Sequence, residues 1–381
     1  MSNVKWVNES SLCHGCGACD AVCPHDSISM VNSGKNNFPL IDMSCTDCGL
    51  CNKVCSGHQT TIDTSIFESK NVYFAYSTNE EIRNKSSSGG FITQYLLDLL
   101  DLNKIDGAIV TVSDGTMIGT KATIVHTREE IINSIGSKYY PSSNCSVLKN
   151  IDTTKKYAFV GKGCDIESLE LMKDINSKIY SAIYVKIGLM CHHTPNSNET
   201  KKLLENYGFK VNSKTTIQYR NEGWPGQTII QNTKKKETID YKISWGTHLG
   251  KEIPFRCQIC TQSFAQNADI IVGDAWSKNL NLDNKKNGYS LIIIKDDFLK
   301  KTFNSYNYNL CLEKTEKAEI SLSQKGLSKK LSMGIIKSIF LSRVDKKYKV
   351  TINKSTIKTN IKSYISSIFF LFKYLFKGKN H

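Results

Sequence analysis

The residues whose chemistry is clearest are eight cysteines near the start of the chain. They stand as Cys13, Cys16, Cys19 and Cys23, then as Cys45, Cys48, Cys51 and Cys55, two runs of C-x2-C-x2-C-x3-C. Three thiolates on a tight loop can wrap a cube of iron and sulfide, and a fourth further along closes the cage. Gly17 and Gly49 sit inside the two loops, where a missing side chain lets backbone approach a cluster. Zinc sites usually pair two C-x2-C knuckles instead of repeating a four-cysteine ladder. Disulfide frameworks belong to short secreted chains, whereas the start, Met1 to Trp6, lacks an apolar signal region. These residues therefore predict two [4Fe–4S] clusters in a reducing, cytoplasmic compartment. Two clusters a short hop apart form a wire, and a wire needs a redox partner at each end.

The spacing resembles that of bacterial ferredoxins, in which each fourth cysteine ligates the cluster of the other half. By that rule one cluster takes Cys13, Cys16, Cys19 and Cys55, and the second takes Cys45, Cys48, Cys51 and Cys23. The segment between the ladders, Ile28 to Ile41 with Gly34 near its middle, reads as strand, turn, strand. One departure stands out: Ser56 follows Cys55 where the pattern usually has proline.

The rest of the chain alternates strands and helices. Residues 56–70 are polar and read as a linker. Val72 to Ser77, Asp106 to Val112, Lys121 to His126, Tyr157 to Cys164 and Ser181 to Cys191 read as strands. The apolar positions 92, 96, 99 and 100 follow helical spacing, and further helices are expected at Glu129 to Ile135 and Ile166 to Met172. This alternation predicts an α/β domain with a mixed sheet and functional loops past the strand ends. The expected units are 1–63 (an α+β ferredoxin-like dicluster module), 70–155 and 156–320 (two parts of the α/β domain), and 321–381 (a basic amphipathic tail).

Two further groups of residues could do chemistry. Cys164 and Cys191 each follow an apolar strand, and Cys257-Gln-Ile-Cys260 is a C-x2-C knuckle after Pro254. Four cysteines from three loops could hold a third [4Fe–4S] cluster; buried free thiols or a redox-active pair are the alternatives. Cys145 and Cys311 have no partner pattern and are expected to be inert. The loop Ser86-Ser87-Ser88-Gly89-Gly90 opens a helix, so it could bind a phosphate or simply cap that helix.

Phe255-Arg-Cys257-Gln-Ile-Cys260, followed by Ala268-Asp269 through Gly273-Asp274-Ala-Trp276, resembles the most recognisable block of the coenzyme F-420 hydrogenase/dehydrogenase beta-subunit family. Ser88-Gly89-Gly90 with Thr93, Gly136-Ser137-Lys138-Tyr139, Gly161 to Cys164 and Gly188 to Cys191 follow in that family's order, over roughly residues 70 to 295. The resemblance implies an α/β flavin-binding domain with FAD, and a third [4Fe–4S] cluster on Cys164, Cys191, Cys257 and Cys260. It implies flavin contacts from Ser88, Gly89, Gly90, Thr93, Ser137, Lys138, Tyr139, Gly273 and Asp274. Lys138 is the expected stabiliser of charge on a reduced flavin; His193 is the candidate proton donor or cluster contact, with an exposed loop histidine of no role as the alternative. Bacterial members with a fused dicluster ferredoxin often lie beside surface-polysaccharide genes, which implies a sugar or glycan substrate. Gly163 stands where proline is expected, and His192-His193 stand where a small residue is usual.

Charge is uneven. Residues 301–381 hold 17 Lys and Arg against 4 Asp and Glu, leaving 33 against 31 for residues 1–300. A near-neutral body argues against a nucleic-acid binder. Within the tail, Ser363 to Lys377 is aromatic and lysine-flanked but far short of the ~20 apolar residues that span a bilayer. It suits a helix at an anionic membrane surface, which would place the protein peripherally at the inner membrane; a C-terminal helix docked on the body or on a partner subunit is the alternative. The expected function is an iron–sulfur flavoprotein oxidoreductase, exchanging electrons with a ferredoxin, a deazaflavin or a partner reductase. The rival readings are an electron-transfer subunit with no substrate of its own and a structural iron–sulfur protein without flavin. No triad, paired-carboxylate site or Walker motif supports a hydrolase or kinase.

Overall fold

The computed structural model describes residues 3–114, 118–211, 214–221, 223–280, 287–303 and 306–353. Each cysteine ladder turns at a glycine into a single helical turn. Gly17 (φ 84°) leads Ala18–Ala21, and Gly49 (φ 80°) leads Leu50–Lys53. A side chain is strained at such φ, and at Gly17 a methyl would also lie 2.0 Å from Ser146 Oγ. Between the ladders, Ile28–Asn32 pairs antiparallel with Asn37–Ile41, Ile28 opposite Ile41.

The body is built on an eight-stranded mixed sheet. Its spatial order is Leu310–Thr315, Val72–Ser77, Ser290–Ile294, Ile270–Asp274, Ile183–Leu189, Tyr157–Lys162, Gly107–Ser113 and Thr120–Val125. The four strands from Ile270–Asp274 to Gly107–Ser113 are mutually parallel, and the flanking pairs are antiparallel. Central strands covered on both faces need apolar residues at every position. Along Tyr157–Lys162, Tyr157 and Phe159 enter one buried cluster while Ala158 and Val160 enter the other. Phe91–Asp101 covers the second face with Phe91, Tyr95, Leu96, Leu97 and Leu99. Each such large side chain removed from water stabilises the fold by about 1.5–3 kcal/mol.

The ferredoxin module shares the sheet's first cluster: Cys16, Ala18, Ala21, Val22, Val54 and Ile62 are buried with Phe159, Ile166 and Leu169. Residues 56–70 differ from the expected linker, because they form the strand Gln59–Asp63 and the 3-10 turn Ser65–Glu68. The strand that fixes them lies far away in sequence: Lys349–Asn353 pairs with Gln59–Asp63 in parallel, Lys349 opposite Gln59.

Residues 325–353 likewise fold onto the body. The helix Lys325–Val344 puts Leu327, Leu331 and Ile335 into the main cluster and Leu341 among the residues packed on the ferredoxin module. At Gly334 a methyl would lie 2.2 Å from the Cys260 carbonyl, so glycine lets the helix touch that loop. The expected aromatic run Ser363 to Lys377 lies outside the described residues. No described helix is long and apolar enough to cross a membrane. A further three-stranded antiparallel sheet, Thr216–Asn221, Gln227–Gln231 and Lys236–Asp240, packs Tyr219, Ile230 and Ile239 on Leu203, Leu204 and Phe209.

Candidate iron–sulfur and cofactor sites

Eight of the cysteines line two cavities: Cys13, Cys16, Cys19 and Cys55 one, and Cys164, Cys191, Cys257 and Cys260, with Cys13 at its edge, the other. Among the described residues no three His, Cys, Asp or Glu side chains converge on one metal-ion position. Cys13, Cys16, Cys19 and Cys55 line a cavity with Val4, Val7 and Met30, so the last cysteine of the second ladder meets the first three of the first. Cys48 is exposed and Cys51 buried, and the remaining ladder cysteines are half-buried or deeper. Burial pushes the Cys13 thiol up to about 12 and raises the Cys55 thiol as well. Cys16 goes the other way, to about 7, because the Cys145 side chain hydrogen-bonds it. Cys145 is fully buried, and its N–H donates to the Cys16 carbonyl at 2.8 Å.

A second cavity is lined by Cys164, Cys191, Cys257 and Cys260. The four come from separate segments: the first turn of Gly163–Met172, the loop after Ile183–Leu189, and the one-turn helix Phe255–Gln258 with its exit. Three cations border it, Lys162, Arg256 and Lys330. Burial raises Cys191 to about 12, and Lys330 and Lys162 oppose that rise. Lys330 Nζ donates to Ser263 Oγ at 2.9 Å and to the Cys191 carbonyl at 3.4 Å. Arg256 is 2% exposed, with Nη2 on the Ser56 carbonyl at 2.9 Å and Nη1 on Tyr348 Oη at 3.2 Å. Its Nε and His14 Nε2 are buried on this wall without a protein partner. Four thiols, neighbouring cations and orphaned nitrogens fit an anionic, sulfur-rich group.

Two of the three departures from the expected patterns, Ser56 and Gly163, have a physical reason. Ser56 donates its N–H to Ser168 Oγ at 3.3 Å and its hydroxyl to the Cys164 carbonyl at 3.1 Å. Proline could make neither bond. Ser168 Oγ also lies 3.4 Å from Cys16 Sγ, so one small network ties the two cysteine cavities. At Gly163 a methyl would lie 1.7 Å from the Gln262 carbonyl, so any side chain, proline included, would push the Cys164 and Cys260 loops apart.

The residues expected around a flavin are partly gathered. Ser137 N–H donates to Ser87 Oγ at 2.8 Å, bringing the serine–glycine loop to the Gly136–Tyr139 turn. Arg220, 4% exposed, pairs with Asp274 at 2.7 Å and donates to the Ser87 carbonyl. Its guanidinium lies over the rings of Tyr241 (4.8 Å) and Trp224 (5.1 Å), and Trp224 packs 4.5 Å from Trp276, which is 41% exposed. A methyl at Gly136 (φ +90°) would have nothing nearer than 3.9 Å. This aromatic and cationic side fits a planar anionic cofactor.

Other expected contacts are engaged within the protein. Ser88 Oγ donates to the Tyr289 carbonyl at 2.7 Å and Gly89 N–H to Ser290 Oγ at 3.2 Å. A methyl at Gly89 would strike the Ala75 carbonyl at 2.2 Å, so backbone packing requires that glycine, whereas one at Gly273 would meet the Met190 side chain, Sδ at 2.4 Å. Gly90 (φ 75°) caps the helix Phe91–Asp101, on which Thr93 is buried.

Lys138 Nζ donates to the Ser134, Ile135 and Gly136 carbonyls, and burial lowers it to about 8. His193 is buried, with Nε2 3.4 Å from the Leu249 carbonyl, and burial followed by His192 lowers it to about 4. Its ring packs 5.2 Å from Trp245, which packs 4.8 Å from Tyr139. Aromatic rings thus connect the cavity of Cys191 to the Gly136–Tyr139 turn. Sequence reasoning missed His14, Lys162, Arg220, Trp245 and Lys330. Only Arg220 had a visible signal, the Trp224-Pro225-Gly226 turn just after it.

The fold and sites define an iron–sulfur protein with a dicluster module packed on an α/β body. Residues 12–57 match the 4Fe-4S dicluster domain, so the ladders carry [4Fe–4S] clusters. Residues 72–149 and 154–319 match the N-terminal and C-terminal parts of the coenzyme F420 hydrogenase/dehydrogenase beta subunit, and the chain belongs to that family. An uncharacterized protein of Methanocaldococcus jannaschii is 25% identical over 85% of this chain and 96% of its own length. The coenzyme F420-dependent sulfite reductase of the same organism is 26% identical over 76% of this chain, which matches 45% of that enzyme. The coenzyme F420 hydrogenase subunit beta of Methanococcus voltae is 26% identical over 55% of this chain and 75% of that subunit. The fold is also similar to a chain of the F420-reducing [NiFe] hydrogenase complex from Methanosarcina barkeri, with TM-score 0.54 and 17% identity over 74% of this chain and 95% of that one.

Proposed function

We propose that this chain is an iron–sulfur flavoprotein oxidoreductase, with a third [4Fe–4S] cluster on Cys164, Cys191, Cys257 and Cys260 and FAD beside Gly136–Tyr139. The observation that supports this reading best is the four-cysteine cavity that has Cys13 and His14 of the ferredoxin module in its wall. When bound, the clusters supply one-electron transfer and a flavin couples single electrons to an electron pair. The chain's own residues supply the surroundings. Lys162, Arg256 and Lys330 offset the negative charge of thiolates and sulfide. The Trp224–Trp276 pair offers a flat apolar face to a ring, and Arg220, paired with Asp274 and bonded to the Ser87 carbonyl, holds the serine–glycine loop beside it. Exposed Cys48 marks the ferredoxin edge open to a redox partner.

A second reading is an electron-transfer subunit with no substrate of its own, favoured by the relative named as a hydrogenase subunit. Anaerobic assays of the purified chain with reduced ferredoxin separate the two. Turnover of an organic acceptor by the chain alone, with a sugar or the deazaflavin as the acceptors to try, supports the enzyme. Reduction of the flavin with no acceptor turnover supports the subunit. Purified chain without flavin overturns the flavoprotein assignment in both.

A further inference from the structure

His14 lies between two expected ligand cysteines, Cys13 and Cys16, and with Cys13 it forms the wall where the two cysteine cavities meet. It borders the cavity of Cys13, Cys16, Cys19 and Cys55, and it borders the cavity of Cys164, Cys191, Cys257 and Cys260. Its Nε2 is shut off from solvent and has no hydrogen-bond partner in the protein. The ring also meets the Ser56 backbone, whose carbonyl already accepts from Arg256 Nη2 at 2.9 Å; leaving a buried donor unmade costs about 1–3 kcal/mol, so a proton carried on Nε2 needs an acceptor that the polypeptide does not supply. Both cavities are walled by sulfur ligands, and hydrogen bonds to cluster sulfurs are among the features that set reduction potential.

We propose that His14 is a positioning and tuning residue of the iron–sulfur relay. In the tautomer carrying its proton on Nε2, it donates that N–H to a sulfur of a cluster bound beside it. The bond holds the Cys13–Cys16 loop against the Cys164–Cys260 site and raises the potential of the acceptor cluster. No bond to iron forms, because four cysteines already border each cavity. The inference rests on the three-cluster reading, and its test separates the two.

The experiment uses the full chain, purified without oxygen, as wild type, His14→Leu and His14→Gln. The readouts are iron per chain, midpoint potentials from EPR-monitored redox titration, and 15N coupling in reduced wild-type protein labelled with 15N-histidine. The expected result is a weak 15N coupling in the wild type that is lost in His14→Gln. His14→Leu keeps its iron and has one cluster shifted to lower potential, and the amide donor of His14→Gln restores part of that shift. Unchanged potentials in His14→Leu overturn the proposal. Should His14→Leu fail to assemble, the labelled wild type decides: no coupling overturns hydrogen bonding, and a strong coupling overturns it in favour of ligation. Iron for only two clusters in the wild type overturns the three-cluster reading itself, and this proposal with it.

Discussion

Proline has no N–H to give, and Ser56 gives one to Ser168 while its hydroxyl reaches the Cys164 carbonyl. The hydroxyl also accepts from Ser168 Oγ at 2.9 Å, so Ser56→Pro is expected to lose about 3 kcal/mol, at about 1 kcal/mol for each of the three bonds, measured by denaturant unfolding of the anaerobic protein. A second residue-scale prediction concerns pH. Burial lowers Lys138 from 10.5 to about 8 in the folded protein. Below about pH 8 both folded and unfolded chains hold the proton and the penalty is whole. Between about 8 and 10.5 only the unfolded chain holds it, so stability rises with pH across that window. Wild type should gain about 2 kcal/mol over Lys138→Met from pH 8 to 10.5, less than the full shift implies because the side chain is only half-buried. An unchanging gap would contradict it. At this scale the sequence made the ladder cysteines readable because their spacing is itself the signal. It showed Ser56 and Gly163 only as oddities, because their partners Ser168 and Gln262 lie about a hundred residues further along.

Elements that are continuous in sequence were readable; those completed from a distance were not. The mixed sheet announces itself through apolar runs such as Tyr157–Lys162 and Ile183–Leu189, buried on both faces. Gln59–Asp63 looks like a linker because its partner strand, Lys349–Asn353, is nearly three hundred residues away. The lysine-rich stretch after residue 321 looks like a tail because its buried stripe, Leu327, Leu331 and Ile335, is diluted by exposed lysines. Gly334→Val tests whether this helix seals the cysteine cavity, since even a methyl there would lie 2.2 Å from the Cys260 carbonyl. The expected outcome is a loss of about 1–3 kcal/mol and faster iron release to a chelator, with the two ladder clusters retained. Wild-type release rates would contradict a sealing role.

At the scale of the molecule, the ferredoxin module is packed into the body and not strung beside it. It shares the sheet's main buried cluster and, through Ser56 and Arg256, touches the second cysteine cavity. This packing makes the two cysteine cavities adjoin, with Cys13 and His14 in the wall of both. His193, Trp245 and Tyr139 lead onward to the Gly136 turn and Arg220. The measurement that tests this account most directly is iron, sulfide and released flavin per chain in protein purified without oxygen. The account predicts about twelve irons, about twelve sulfides and one FAD, the content of three cubane clusters and a flavin. About eight irons with no flavin would confine redox chemistry to the ladders and contradict it.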